Sequence, residues 1–449
     1  MTSTAALPVG RRVGSTVDRE VRAGVHWGVA HGLPTLFLRR AAARGDLQAQ
    51  LIRVGSMGSE AAVFDLIEEI RSRGPLYRSS IGQVATSHAG VRQVLTSDDF
   101  RSGLPTAEGT LGRIARWAAP STLHPVQPPS LLVTEPPDHT RYRKLVTRVF
   151  TRRAVERLRE RTEQIAADLL DDLEPRATSS VDLVEAYCAQ LPVTVIAQVL
   201  GVPDADRGTV LDFGSAAAPS LDLGLGLRRY RAVSRALAQF DGWLGQHLDN
   251  LRREPGDNLL SQLVAVREDG QGLSETELKA TAGLVLAAGF ETTVNLLGNG
   301  IALLHDHPSE RERVVDDPSL WPNVVEEALR LDPPVLLTGR MALRDTEVVG
   351  QPVRAGSMVT AILGAANRDP DVFEDPLRFD VGRANAREHI AFSAGRHHCL
   401  GAQLARMEGE VGLRAIWDRY PGLRLDPGAR RRETRILRGF ETLPATLRP

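Results

Sequence analysis

The sequence of 449 residues predicts a mainly α-helical protein with a small β region, built as one large domain. Three observations carry that expectation. Apolar residues recur at helical spacing through most of the chain, β-like stretches are short and confined to a few places, and no repeat or low-complexity linker divides it. The 55 Lys and Arg residues nearly cancel the 56 Asp and Glu, so bulk charge gives no reason to expect nucleic acid as a partner. Only Cys188 and Cys399 are available for sulfur chemistry, far apart in sequence. That usage fits a reducing compartment, and the cytoplasm is the expected location.

Residues 1–55 read as an N-terminal arm and 56–449 as the main domain. Within the arm, GVHWGVAHGLPTLFL (24–38) is apolar on average, interrupted by His26, His31 and Pro34, and followed by Arg39 and Arg40. It is shorter than the ~20 residues a membrane-spanning helix needs, and it lacks a signal peptide's order of parts. The arm is expected to pack on the main domain, the second reading being contact with a membrane interface; no transmembrane anchor is expected. The segment VFDLIEEIRSRG (63–74) then places Phe64, Ile67 and Ile70 on one helical stripe and ends at a glycine. Strands are expected at LYRSSI from 76, at QVATSH from 83, and around TEVVG and SMVTAIL between 346 and 363. Proline-rich chain at 118–137 and 367–385 reads as irregular.

A single long helix is expected from Ser274, which opens a capping box with Glu277, to a stop at Pro308. At ~30 residues it spans roughly 45 Å, the width of a domain, so it must pass through the middle. Its apolar centre contains Glu291, Thr292 and Thr293. Burying an acid and hydroxyls there is costly unless they are partnered, and the ordinary outcome for a mid-helix threonine is a bond to the preceding turn.

The stretch FSAGRHHCLG (392–401) sets Cys399 between Gly395 and Gly401, directly after His397 and His398. A zinc site would need about three further ligands; His389, His397 and His398 are near, but no C-x-x-C pair exists. A nucleophilic cysteine would need a base and an orienting group, and a buried inert thiol is the common fate of a lone cysteine. The helix that follows, LGAQLARMEGEVGLRAIWDRY, points to a thiol held near a helix N-terminus and favoured as thiolate.

F-x-x-G-x-H-x-C-x-G, followed by Leu404, Ala405 and Arg406, resembles the haem-ligating loop of cytochrome P450 monooxygenases. The resemblance implies the fold of that family and a noncovalent haem b, consistent with the absence of C-x-x-C-H. It makes Cys399 the axial ligand of the iron, with Phe392 and the backbone after Gly395 shielding the sulfur, and it places His397 at a haem propionate. Ala288-Gly289-x-Glu291-Thr292-Thr293 resembles the family's oxygen-activation motif. It implies that Thr292 and Glu291 handle protons, that Ala288 and Gly289 let haem approach the backbone, and that Leu284, Ala288 and Thr292 share one face. Glu327 and Arg330 match the core-stabilising Glu-x-x-Arg by their place in the chain, whereas the same spacing at Glu68 and Arg71, Glu156 and Arg159, and Glu310 and Arg313 reads as surface pairing. By the same resemblance His139, Arg143 and Arg340 anchor the propionates, although His307 and Arg311 repeat the spacing of the first two. The likeness covers residues 60–449, and the arm is longer than most soluble members carry.

The function so implied is that of a soluble bacterial-type P450 inserting one oxygen atom of O₂ into an apolar small organic substrate. Leu284, Val335 and Leu336 are candidate pocket residues, with the loop at 101–132 and the region 207–250. The segment APSLDLGLGLRRY, with Gly224 and Gly226, is a candidate lid. Electrons are expected from an external ferredoxin and ferredoxin reductase, docking on Arg141, Lys144 and Arg148 with Arg152 and Arg153 nearby. Two alternatives stand beside this: oxidative coupling or rearrangement without net oxygen insertion, and a noncatalytic haem sensor.

Overall fold

Glu275–Asp306 forms one continuous helix of 32 residues through the middle of the protein, and the other elements are arranged around it. The computed structural model describes residues 16–55, 60–103, 109–119, 124–222, 224–267 and 270–449. Residues 1–15 of the arm, 56–59 at its boundary, 104–108 and 120–123 of the pocket loop, and 223 of the lid lie outside the described residues.

In chain order, the helices used below are α1 (Thr16–Trp27), α2 (Leu33–Ala43), α3 (Glu60–Ser72), α4 (Gly109–Ala118), α5 (Asp138–Val149), α6 (Arg152–Leu173), α7 (Gln190–Val199), α8 (Leu227–Arg253), α9 (Glu275–Asp306), α10 (Trp321–Leu331) and α11 (Ala402–Arg419). One sheet contains β1 (Leu76–Arg78), β2 (Gln83–Ala85), β3 (Phe100–Arg101), β4 (Leu337–Ala342) and β5 (Met358–Ile362), in the order β1-β2-β5-β4-β3. Only the β2–β5 pair is parallel. The strand expectations near 76, 83, 346 and 357 each fall on an observed strand.

α9 starts as its caps direct. The Glu277 amide donates to Ser274 Oγ at 3.3 Å, and the Ser274 amide donates to Glu277 Oε2 at 2.8 Å. The helix ends at His307, whose amide closes on Leu303 O, before Pro308 opens the next helix. It is apolar on nearly every side, the pattern of a helix surrounded by protein. Among the described residues it alone is long and apolar enough to cross a membrane, and most of that apolar stretch is buried in the fold. Leu297 and Ile301 of α9, Leu191 of α7, Val324 of α10 and Leu413 of α11 share the main core. Each such side chain removed from water contributes ~1.5–3 kcal/mol. In α3, Ile67 and Ile70 are fully buried, as the stripe requires.

Of the four Glu-x-x-Arg pairs, only Glu327 and Arg330 are wholly buried. Arg330 Nε donates to Glu327 Oε2 at 2.7 Å and Nη2 to Oε1 at 2.8 Å. The same guanidinium donates to the carbonyls of Asn367, Pro376 and Arg378. Arg383, which the sequence did not single out, donates from Nε to Glu327 Oε1 at 3.0 Å. This network pins the irregular chain of 367–385 to α10, and that chain leads directly into the cysteine loop. His307 and Arg311, by contrast, serve packing: His307 Nδ1 lies 2.8 Å from Leu303 O, and Arg311 stacks on Trp417.

Candidate active site

Most of α9 is buried, yet Leu284, Val285, Ala288, Gly289 and Thr292 are each partly exposed. They recur at four-residue steps, so one side of an interior helix borders open space. Thr292 Oγ1 donates to Ala288 O at 2.6 Å and Thr293 Oγ1 to Gly289 O at 3.0 Å, the turn-capping bonds ordinary for such residues. A donating hydroxyl still has lone pairs with which to accept. Gly289 has a packing reason of its own, since a Cβ there would come within 2.7 Å of Ile196 Cδ1 on α7.

Glu291 is buried and paired with Arg432, Oε1 to Nη1 at 2.8 Å. Burial pushes its carboxyl up, while the charges of Arg432 and Arg229 act against that. Behind Thr293 stands Glu408 of α11, 1 % exposed, with no partner on Oε1. Burial pushes Glu408 up to about 8, against a hydrogen bond with Thr293. A mid-helix carboxylate on α11 gave no signal in the sequence that separated it from a surface residue.

Cys399 is solvent-accessible, although Ala391, Phe392 and Leu400 around it pack on the main core. Its amide donates to Phe392 O at 2.9 Å. Gly395 has φ +67°, and a Cβ there would meet Leu95 O at 2.5 Å, so only glycine lets the loop lie this close to the helix His88–Thr96. No comparable crowding surrounds Gly401, whose amide instead bonds the sulfur. Burial pushes the thiol up, and the Gly401 amide with the charges of Arg143 and Arg406 pulls it down; the net direction is up. A cation on the sulfur is what the thiolate form requires.

Next to the thiol lies a cluster rich in positive charge. The His139 and His397 rings are 4.6 Å apart, and Arg143 is close enough to Cys399 to influence it. Burial, then the charges of His397 and Arg143, push His139 down to about 4, and its Nε2 is buried without a partner. Arg340 of β4 is 6 % exposed; burial pushes its guanidinium down to about 10, with Glu135 acting the other way. Its Nη1 donates to Thr338 Oγ1 at 3.0 Å and Gly339 O at 2.9 Å. Glu135, just before the Pro136-Pro137 pair, was overlooked. It bonds His397 Nε2 at 3.1 Å and Arg396 Nη1 at 3.0 Å and accepts from the Ser102 amide. Burial would raise Glu135, but the bonds from His397 and Ser102 hold it at about 2.

These features test whether a haem fits. An accessible sulfur in a packed loop, an open side of α9, an orphaned buried imidazole nitrogen and more arginines than carboxylates are what a planar, dianionic metal macrocycle would use. Among the described residues no three His, Cys, Asp or Glu side chains group as metal ligands, so the zinc alternative has no ligand set.

Two expected features are corrected. Leu336 is 2 % exposed and packs with Val63 and Ile67, so it belongs to the core and does not border the open space. Val335 is partly buried and bridges to Leu437. Arg141 does not present a docking charge: it donates to Glu277 Oε1 at 2.6 Å and Gly272 O at 3.3 Å, tied to the start of α9.

The cytochrome P450 family profile matches residues 223–318 and 319–428. A cytochrome P450 140 of Mycobacterium tuberculosis is 50% identical over 95% of this chain and 98% of that protein. The vitamin D(3) 25-hydroxylase of Pseudonocardia autotrophica is 40% identical over 81% of this chain and 87% of its own. Among solved structures, the cytochrome P450 PksS of the bacillaene polyketide synthase of Bacillus subtilis superposes with a TM-score of 0.77 at 32% identity, over 86% of this chain and 97% of that one.

Proposed function

The chain belongs to the cytochrome P450 family and is a haem-thiolate monooxygenase of bacterial type, and on that premise we propose that it oxygenates an apolar small molecule in the cytoplasm with electrons from an external ferredoxin and its reductase. Membership in a family of oxygenases removes the sensor alternative. Two observations carry the reading, an accessible Cys399 in a packed loop and the open side of α9 bearing Thr292.

When bound, haem b supplies the activation of O₂. In the proposed arrangement Cys399 Sγ ligates its iron, and the Gly401 amide moderates the basicity of the sulfur. His139, Arg143, Arg340 and His397 hold the two carboxylates, with Glu135 fixing the His397 ring. Thr292, its proton committed to Ala288 O, accepts from a water and orients it. Glu291 exchanges its Arg432 contact for that water and passes a proton inward. Leu284, Val285 and Ala288 give the open side an apolar lining, which suits an apolar substrate. Lys144, Arg148, Arg152 and Arg153 are exposed, Arg148 while donating to Arg267 O at 3.3 Å, and are the proposed docking charges for the ferredoxin.

A substrate found by its effect on the haem spin state is then turned over under ¹⁸O₂. One labelled oxygen in the product supports insertion, and an unlabelled product would favour coupling or rearrangement. Thr292→Ala is expected to keep haem and substrate binding while product formed per NAD(P)H falls by about tenfold or more in favour of peroxide; Glu291→Gln mainly slows turnover. Unchanged coupling and rate in both variants would remove these residues from proton delivery.

A further inference from the structure

Ten large apolar side chains stand exposed among the described residues, and six of them, Val21, Leu33, Leu36, Phe37, Ile114 and Trp117, lie on α1, α2 and α4. The inner face of this region is already occupied. Ala23 and Trp27 pack with Leu225, Tyr230 and Val233, Trp27 Nε1 donates to Leu225 O at 2.7 Å, and Tyr230 Oη lies 3.0 Å from His26 Nδ1. Helical backbone continues through Gly28–Gly32, so α1 and α2 form one nearly unbroken helical path. α4 lies beside it, with the Arg22 guanidinium 4.9 Å over the Trp117 ring.

A surface helix usually turns polar on the side away from the core. Here Leu33, Leu36 and Phe37, at i, i+3 and i+4, form an apolar outer face in its place. Charge says what covers it. Arg39, Arg40 and Arg44 are exposed beside that face, and from Gly32 to Gly45 there is no acidic residue. α4 is likewise free of acids, with the exposed Arg113 next to Ile114. On α1 the exposed Glu20 beside Val21 is paired with Arg231 at 3.1 Å, while the apolar faces of α2 and α4, edged by arginine, fit the boundary between acyl chains and anionic headgroups.

We propose that the outer face of α1, α2 and α4 docks on an anionic lipid bilayer, lying in the interface without spanning it. The docking does not depend on the reaction assigned above. Because Trp27 and His26 hold the chain at Leu225 and Tyr230, docking brings the candidate lid to the lipid surface, where an apolar substrate of the proposed kind concentrates.

The test uses the full-length haem-loaded protein and sedimentation with vesicles of phosphatidylcholine, alone or mixed with phosphatidylglycerol. Binding to the mixed vesicles is expected to exceed binding to the neutral ones and to weaken with salt. The double substitutions Leu36→Glu with Phe37→Glu, and Arg39→Glu with Arg40→Glu, are each expected to weaken binding by about tenfold or more, with an unchanged haem spectrum showing that the fold survives. Emission from Trp117, isolated by difference against Trp117→Phe, should shift to the blue on vesicle addition. No binding to either vesicle, binding indifferent to both double substitutions, or a dimer in solution that Phe37→Glu dissociates without any vesicle binding would each overturn the proposal.

Discussion

Replacing Glu408 by Gln should change how the stability of this protein depends on pH. Glu408 is 1 % exposed, lacks a partner on Oε1, and holds its proton up to about 8 where an ordinary glutamate holds it to 4.5. The folded state therefore binds more protons than the unfolded chain between those two values, and stability must fall as pH rises through that interval. Each pH unit across it corresponds to 1.36 kcal/mol, so the full loss by pH 8 is on the order of 5 kcal/mol. Below pH 4 the carboxyl is neutral in both states and the term vanishes. Glutamine has the same shape and no charge to lose, although its amide nitrogen needs a partner that the site does not supply, a cost independent of pH. Urea unfolding of wild type and Glu408→Gln, followed from pH 5 to pH 9, is the assay. The expected result is a wild-type stability that declines relative to the variant by several kcal/mol over this range. Parallel pH profiles for the two proteins would refute the reasoning, since they would mean that Glu408 ionises within the fold at no cost.

Arg330→Leu should destabilise by about 3–5 kcal/mol, because it leaves Glu327 buried and short of a counter-charge, whereas Glu68→Gln on the exposed pair should change unfolding by less than ~1 kcal/mol in the same denaturation experiment. Lys144→Glu should slow reduction by an acidic ferredoxin, most strongly at low salt, in stopped-flow measurements; Arg141→Glu should instead disturb stability through its lost bond to Glu277. Equal reduction rates for wild type and Lys144→Glu at every ionic strength would remove the docking face.

The parts of the fold legible in the sequence were those decided by local rules. Ser274, Glu277 and Pro308 bound α9 because caps and stops act within one turn. Cys399 and its glycines stood out because Gly395 meets a constraint that only a glycine can satisfy. What stayed hidden depended on distant chain. Glu135 becomes significant only when the fold brings it to His397 and Arg396, and Arg383 only when residues 367–385 wrap back onto Glu327. Arg141 read as a surface cation because its partner, Glu277, is far along the chain. Leu336 read as pocket because apolar character does not distinguish a lining residue from a core residue.

Every proposed role of the site residues depends on a haem iron held by Cys399, and the absorption spectrum of the reduced carbon monoxide complex addresses that most directly. The purified protein is expected to show the red-shifted Soret band of thiolate ligation; Cys188→Ser should retain it, since Cys188 is fully buried in the main core, and Cys399→Ser should lose it. A wild-type spectrum like that of a histidine-ligated globin, or one that survives Cys399→Ser, would contradict the assignment.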